Sequence, residues 1–136
     1  MMNIKLIDYG YENAPKRAHF NDAGADVFAN ETVYISKGDT RKIKLGFGLE
    51  LPDGFMGLVL PRSSFASKGI VAEIPPIDSG YTGEIHAIVT NHSHNTARIS
   101  KGTRIAQLVI IPMVIANFVE NAGESRGNNG FGSTGN

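Results

Sequence analysis

The sequence predicts an all-β fold of short antiparallel strands, closed as a sandwich or barrel. Three features carry that expectation: apolar residues alternate with polar ones, turn residues recur at short intervals, and no run of ten residues keeps a helical apolar spacing. Many short strands with frequent turns suit a closed or two-layered β architecture.

The elements follow in chain order. DAGADVFA (residues 22–29) begins a strand after small residues that permit close backbone approach, with Asp26 at its start. TVYISKGDTRKIKLGFGLELP (32–52) alternates around the turn signal Lys37-Gly38-Asp39, and Pro52-Asp53-Gly54 turns the chain into FMGLVLP (55–61). SSFASKG (63–69) suits one helical turn, with Ser as cap and Gly as stop. EIHAIVT (84–90) and RIAQLVIIP (104–112) read as further strands, and the polar cluster NHSHN (91–95) as a turn between them. Near residue 121 the apolar content stops. A body of residues 1–121 is therefore expected, followed by a glycine-rich tail, 122–136, with no internal repeat or linker.

A chain of 136 residues with 41% hydrophobic content is long enough to bury one core. Thirteen Lys and Arg balance thirteen Asp and Glu, which argues against a nucleic-acid partner while leaving room for a small phosphate ligand. Cysteine is absent, so disulfides and thiolate chemistry are excluded. MMNIKLIDYGYEN meets Asp8 before an apolar core can develop, unlike a signal peptide. AQLVIIPMVIANFV is broken by Gln107, Pro112 and Asn117 and is too short to span a membrane. The expectation is a soluble cytoplasmic protein without a membrane partner, in which the sequons at Asn30 and Asn91 carry no weight.

Four stretches hold residues suited to chemistry. In PRSSF (61–65), Arg62 offers a fork of donors that matches phosphate, and Ser63 and Ser64 add hydroxyl and backbone donors. IPPIDSGYTGEI (74–85) stiffens its approach with Pro75-Pro76 and then presents Asp78, which can activate water, and Tyr81, which can lie against a sugar. Gln107 interrupts an apolar strand, where a polar amide needs a partner or a ligand. Asp26 could orient a cation or a metal-bound water. Taken singly, each has an ordinary reading: a surface arginine in a polar loop, an Asx-turn aspartate beside a core-edge tyrosine, a satisfied or edge glutamine, a surface carboxylate at a bulge. His92 and His94 form an HxH without a third ligand nearby, short of a zinc set. Neither a Walker A loop nor a G-x-S-x-G elbow is present.

Their order is more informative than any one of them. AGADVFA, PRSSFASKGI, IDSGYTGEI, GTRIAQLVI and RGNNGFGSTG together resemble the five motifs of the homotrimeric dUTPase family, from about residue 20 to the C-terminus. The resemblance implies a β-jelly-roll or β-barrel subunit with a flexible glycine-rich C-terminal arm, assembled as a homotrimer whose three sites are shared among the chains. It implies Mg²⁺-dependent hydrolysis of dUTP to dUMP and diphosphate, which limits uracil in DNA and supplies dUMP for dTMP synthesis.

On the same basis Asp78 orients or deprotonates the attacking water, general-base help of roughly 10²–10⁴-fold. Tyr81 packs under the deoxyribose and excludes a ribose 2′-hydroxyl. Arg62, Ser63 and Ser64 hold the phosphate chain, Ile77 lines the substrate pocket, and Gln107 adds an amide donor. Asp26 acts indirectly, on a metal-bound water or in an ion pair, and Mg²⁺ is held by the phosphates and water rather than by the protein. In the tail, Arg126 brings charge toward the phosphates, Phe131 stacks on uracil, and Gly132, Ser133 and Thr134 close over the phosphate chain. Ordering about nine tail residues costs on the order of 10 kcal/mol, so closure is expected to depend on bound nucleotide.

Several residues depart from the family pattern: Pro75-Pro76, Ala72 in place of an asparagine near uracil, Gly80 before Tyr81, Thr103 before Arg104, and Asn129 for glycine. Two prolines remove two backbone donors, so other groups must read the base. IDSGY also leans toward the dCTP deaminases, which share the fold, but Ile88 stands where those enzymes carry a catalytic glutamate. The remaining alternative is a nucleotide-sensing or protein-binding module of phage or mobile-element origin, which would act in the host cytoplasm.

Overall fold

The structure, a computed structural model, describes residues 1–121. Ten strands and one short helix account for its regular structure: β1 (Lys5–Asp8), β2 (Ala25–Phe28), β3 (Val33–Ile35), β4 (Thr40–Lys44), β5 (Phe47–Glu50), β6 (Phe55–Pro61), α1 (Ser63–Ala66), β7 (Ile70–Glu73), β8 (His86–Asn91), β9 (Ala97–Ile99) and β10 (Arg104–Pro112). All pairings are antiparallel, in four small sheets ordered β1-β5, β2-β10-β6, β3-β9 and β4-β8-β7. Among the described residues no helix is long and apolar enough to cross a membrane.

Period-two alternation explains which side chains enter the core. Val33 and Ile35 are buried on either side of exposed Tyr34, and Ala87 and Val89 are buried between half-buried His86 and Ile88. The four sheets share one apolar cluster, with Phe47, Ile35, Ile43, Leu45, Leu49 and Val27 its largest fully buried members. Each such side chain contributes roughly 1.5–3 kcal/mol by leaving water. The expected turns at Gly38 and Gly54 both require left-handed backbone, at φ 81° and 87°.

Three strands were not anticipated from the sequence. β1, β7 and β9 have only three or four residues each, and a charged residue interrupts or ends each of them. β9 also changes the expected path, because NHSHN leads into β9 against β3, and Lys101-Gly102 then turns the chain into β10. The NHSHN turn is organised by Asn91, which is wholly buried. Its amide donates to the carbonyls of Ile35 and Asn95, each at 2.8 Å, and its Oδ1 accepts from the N–H and hydroxyl of Ser93.

Helix α1 exists as expected, but serine does not cap it. Arg62 is the N-cap, and its backbone carbonyl accepts from the N–H groups of Phe65 and Ala66. Ser63 and Ser64 therefore occupy the first turn, where N–H groups have no acceptor within the helix. Gly69, at φ 81°, sends the chain on into β7.

Candidate active site

The loop between β7 and β8 carries Asp78 and Tyr81 away from its own sheet. Pairing of β7 with β8 ends at Glu73 opposite Ile88. Continued register would place Pro75 opposite His86, and proline has no N–H to give the ladder. Instead the chain crosses to β6, where Ile77 and Gly57 exchange backbone hydrogen bonds of 2.8 and 3.0 Å. Two strands that would otherwise stay zipped are thereby held apart.

The resulting cavity, about 250 Å³, is lined by Pro75, Pro76, Ile77, Asp78 and Tyr81 on one limb. Glu84, Ile85, His86 and Ile88 line the other, with Lys42 and Glu73 from the neighbouring strands. Backbone alternation decides which groups of β8 face this gap. Ile85 and Asn91 bond to the β4–β5 side, so His86, in alternation with them, directs its N–H and C=O toward the opened limb. Ile88 presents hydrocarbon to the same cavity.

Asp78 is exposed on the tip, in a turn closed by the Tyr81 N–H on the Asp78 carbonyl at 3.1 Å. Next to it, the Ser79 hydroxyl donates to Asp53 Oδ1 at 3.2 Å, tying the tip to the β5–β6 turn. Tyr81 is 46% exposed, and its hydroxyl donates to the carbonyl of Glu84 at 2.7 Å.

A second group of candidate residues gathers on the β2-β10-β6 sheet. Gln107 lies opposite Asp26 on one side and Leu60 on the other, so it sits in a central strand rather than at an edge. Gly24 allows the close fit there, since a Cβ at that position would stand 2.8 Å from Gln107 Oε1. Asp26 Oδ2 accepts from Arg104 Nη1 at 3.2 Å, and the Arg104 carbonyl accepts from Arg62 Nη1 at 3.0 Å. This chain of contacts brings Asp26, Arg62 and Gln107 to one end of the sheet, with Ser63 and Ser64 just beyond.

The two groups do not meet within one chain. Ile77 lies beside Gly57, and antiparallel continuation puts Asp78 level with Met56, six residues from Arg62. At the rise of a strand that is roughly 20 Å. Arg126, Phe131, Gly132, Ser133 and Thr134 lie outside the described residues. Sequence reasoning missed the gap-facing backbone of His86 and the surrounding Lys42, Glu73 and Glu84. Pro75 was the available signal for the gap, as a residue that ends a ladder.

The dUTPase family model matches residues 11–135. The chain belongs to the dUTPase family. It is 39% identical to the deoxyuridine 5′-triphosphate nucleotidohydrolase of Crocosphaera subtropica, over 98% of this chain and 99% of the relative. With the enzyme of the same name from Clostridium tetani the identity is 43%, over 98% and 96% of the two chains. Among solved structures, a mutant dUTPase of Staphylococcus bacteriophage 80alpha with dUpNHpp superposes with a TM-score of 0.86 at 28% identity, covering 99% of this chain and all of the other. The all-β architecture is thus that of the family's jelly roll, and the relatives are of comparable length.

Proposed function

We propose that the chain hydrolyses dUTP to dUMP and diphosphate, with the uracil ring in the gap between β7 and β8. The observation that carries this reading is the gap itself: a flat opening with hydrogen-bonding backbone on one wall, and Asp78 and Tyr81 at its mouth. His86 offers both an N–H and a C=O, which complement the carbonyl oxygen and ring N–H on the edge of uracil. Pro75 keeps its carbonyl but has no donor, so donation to the base falls to His86. Cytosine, with an amino group and an unprotonated ring nitrogen in place of those groups, mispairs with that pattern. Tyr81 at the rim lies where the sugar follows the base, and its ring excludes a 2′-hydroxyl.

In the chemical step, a water oxygen bonds to the α-phosphorus while its proton passes to the Asp78 carboxylate. The bond from the α-phosphorus to the bridging oxygen breaks, and its electrons leave with diphosphate. Arg62, Gln107 and the N–H and hydroxyl groups of Ser63 and Ser64 bind the phosphate chain. Mg²⁺ would be held by the phosphate chain and water and would supply charge that offsets the phosphates. Among the described residues no three His, Cys, Asp or Glu side chains gather as a metal site. The phosphate chain is the donor set that suits an ion keeping most of its waters. Asp26, with Oδ2 on Arg104, would orient one of those waters through Oδ1.

Because Asp78 and Arg62 are so far apart on one chain, a complete site needs more than one copy, and a homotrimer provides it. Two surfaces favour such assembly. The outward row Met56, Leu58 and Leu60 on β6 lies beside Val109 and Ile111 on β10, forming a half-buried apolar face. Beyond β10, Val114 and Phe118 are 88% and 95% exposed, an apolar segment that the described residues do not cover. In this reading residues 122–136 form a separate tail that closes the site of another copy.

Release of diphosphate from dUTP with Mg²⁺, measured beside dCTP, tests the function. No turnover of dUTP would reject the enzyme reading, and ammonia release from dCTP would favour the deaminase instead. Ile88 on the cavity wall, where a deaminase needs a carboxylate, supports hydrolysis.

A further inference from the structure

We infer that Tyr9, directly after the N-terminal strand β1 and outside all five motifs, is a positioning residue for the sugar-excluding Tyr81. This rests on the reading that Tyr81 excludes the ribose. The returning limb of the hairpin, residues 81–84, has no ladder partner, so something else must fix its height above the body.

Three contacts do so. The Tyr9 hydroxyl donates to the Thr82 carbonyl at 2.8 Å, directly after Tyr81. The Glu84 carboxylate accepts from the Gly46 N–H at 3.0 Å, and Gly46 in turn accepts from the Tyr9 N–H at 2.9 Å through its carbonyl. Beneath the limb lies Gly48, where a Cβ would stand 2.7 Å from the Gly83 carbonyl oxygen, 2.8 Å from that of Thr82 and 2.9 Å from the Tyr9 ring. The limb therefore rests on bare backbone of β5, clamped by Tyr9.

The same limb sets the ring of Tyr81. A Cβ at Gly83 would stand 2.7 Å from the Tyr81 hydroxyl oxygen, so the phenol end of the ring packs over Gly83 and is pinned by the Glu84 carbonyl. Any lift of Thr82 or Glu84 moves the ring and changes the room left for a 2′-hydroxyl. Tyr9 is 44% exposed, so its hydroxyl is not needed to fill the core.

The test compares kcat/KM for dUTP and UTP in the wild type, Tyr9→Phe, Gly48→Ala, Tyr81→Ala and Lys5→Ala. Tyr9→Phe is expected to lower the dUTP preference about fivefold, the size of one net hydrogen bond, mainly by raising kcat/KM for UTP. Gly48→Ala is expected to act in the same direction and further. Lys5→Ala breaks the Lys5–Glu50 pair between β1 and β5 and is expected to leave the preference unchanged. An unchanged preference in Tyr9→Phe, with a reduced one in Tyr81→Ala, overturns the role of Tyr9 and leaves Tyr81 as the gate. An unchanged preference in Tyr81→Ala overturns the gate itself. An equal loss in Lys5→Ala and Tyr9→Phe overturns the proposal by showing a general effect of the β1–β5 pair.

Discussion

Gly57 and Ile77 hold each other by both backbone hydrogen bonds, although twenty positions separate them and no longer ladder surrounds them. That single bridge presents Asp78 beside an open cavity. Asp78→Asn preserves shape while removing the proton acceptor. Turnover of dUTP should fall roughly 10²–10⁴-fold with nucleotide binding retained. Diphosphate release alongside a binding titration checks this, and equal turnover would remove Asp78 as the base.

The separation of Asp78 from Arg62 gives a mixing test. Asp78→Asn and Arg62→Ala should each be nearly inactive alone. Subunits of the two, unfolded together and reassembled, should recover part of the wild-type rate, because some sites then combine an intact Asp78 from one copy with an intact Arg62 from another. Sedimentation of the wild type should show a trimer, and an active monomer would end the shared-site reading.

Gly24→Ala should disturb the phosphate side without touching the base gap. The added methyl meets Gln107 Oε1 at 2.8 Å, and crowding of this kind costs roughly 1–3 kcal/mol. A lowered melting temperature and a reduced kcat are expected, with the preference for dUTP over dCTP intact. Loss of that preference would mean that the two halves are not separable.

Asn91→Ala should be the most destabilising of these changes. It strips partners from the Ile35 and Asn95 carbonyls and from Ser93 around a fully buried side chain. A loss of about 2–4 kcal/mol is expected from several buried groups left unpaired, read by thermal or urea unfolding.

Removal of residues 126–136 should leave the melting of the body near that of the full chain while kcat/KM for dUTP collapses. An unchanged kcat/KM would show that Arg126 and Phe131 have no part in the reaction.

Much of this was legible beforehand because it depends on local chemistry. Gly38, Gly54 and Pro52 mark turns wherever they occur, and alternation in VYI and HAIVT assigns core and solvent faces without knowledge of partners. Gln107 announced itself as a polar group in an apolar strand. The departure of Ile77 from β8 toward β6 was not legible, because it is a long-range pairing, and neither Ile77 nor Gly57 carries a local mark of it. For the same reason β1 went unseen: KLID gains strand character only by lying against Phe47–Glu50. Arg62 rather than serine capping α1 is a smaller case, decided by where β6 ends.

The wall formed by Pro75 and Pro76 has a consequence for solubility. β7 is an outer strand, and an opening beside it with free backbone on β8 resembles the exposed edges through which proteins polymerise. Two consecutive residues without N–H groups offer an incoming peptide no backbone donor from that wall, over a span too short to seat a strand. A flat ring with one donor and two acceptors needs far less. With the base seated as proposed, the prolines leave an unfinished sheet open to a nucleotide while offering little to another polypeptide.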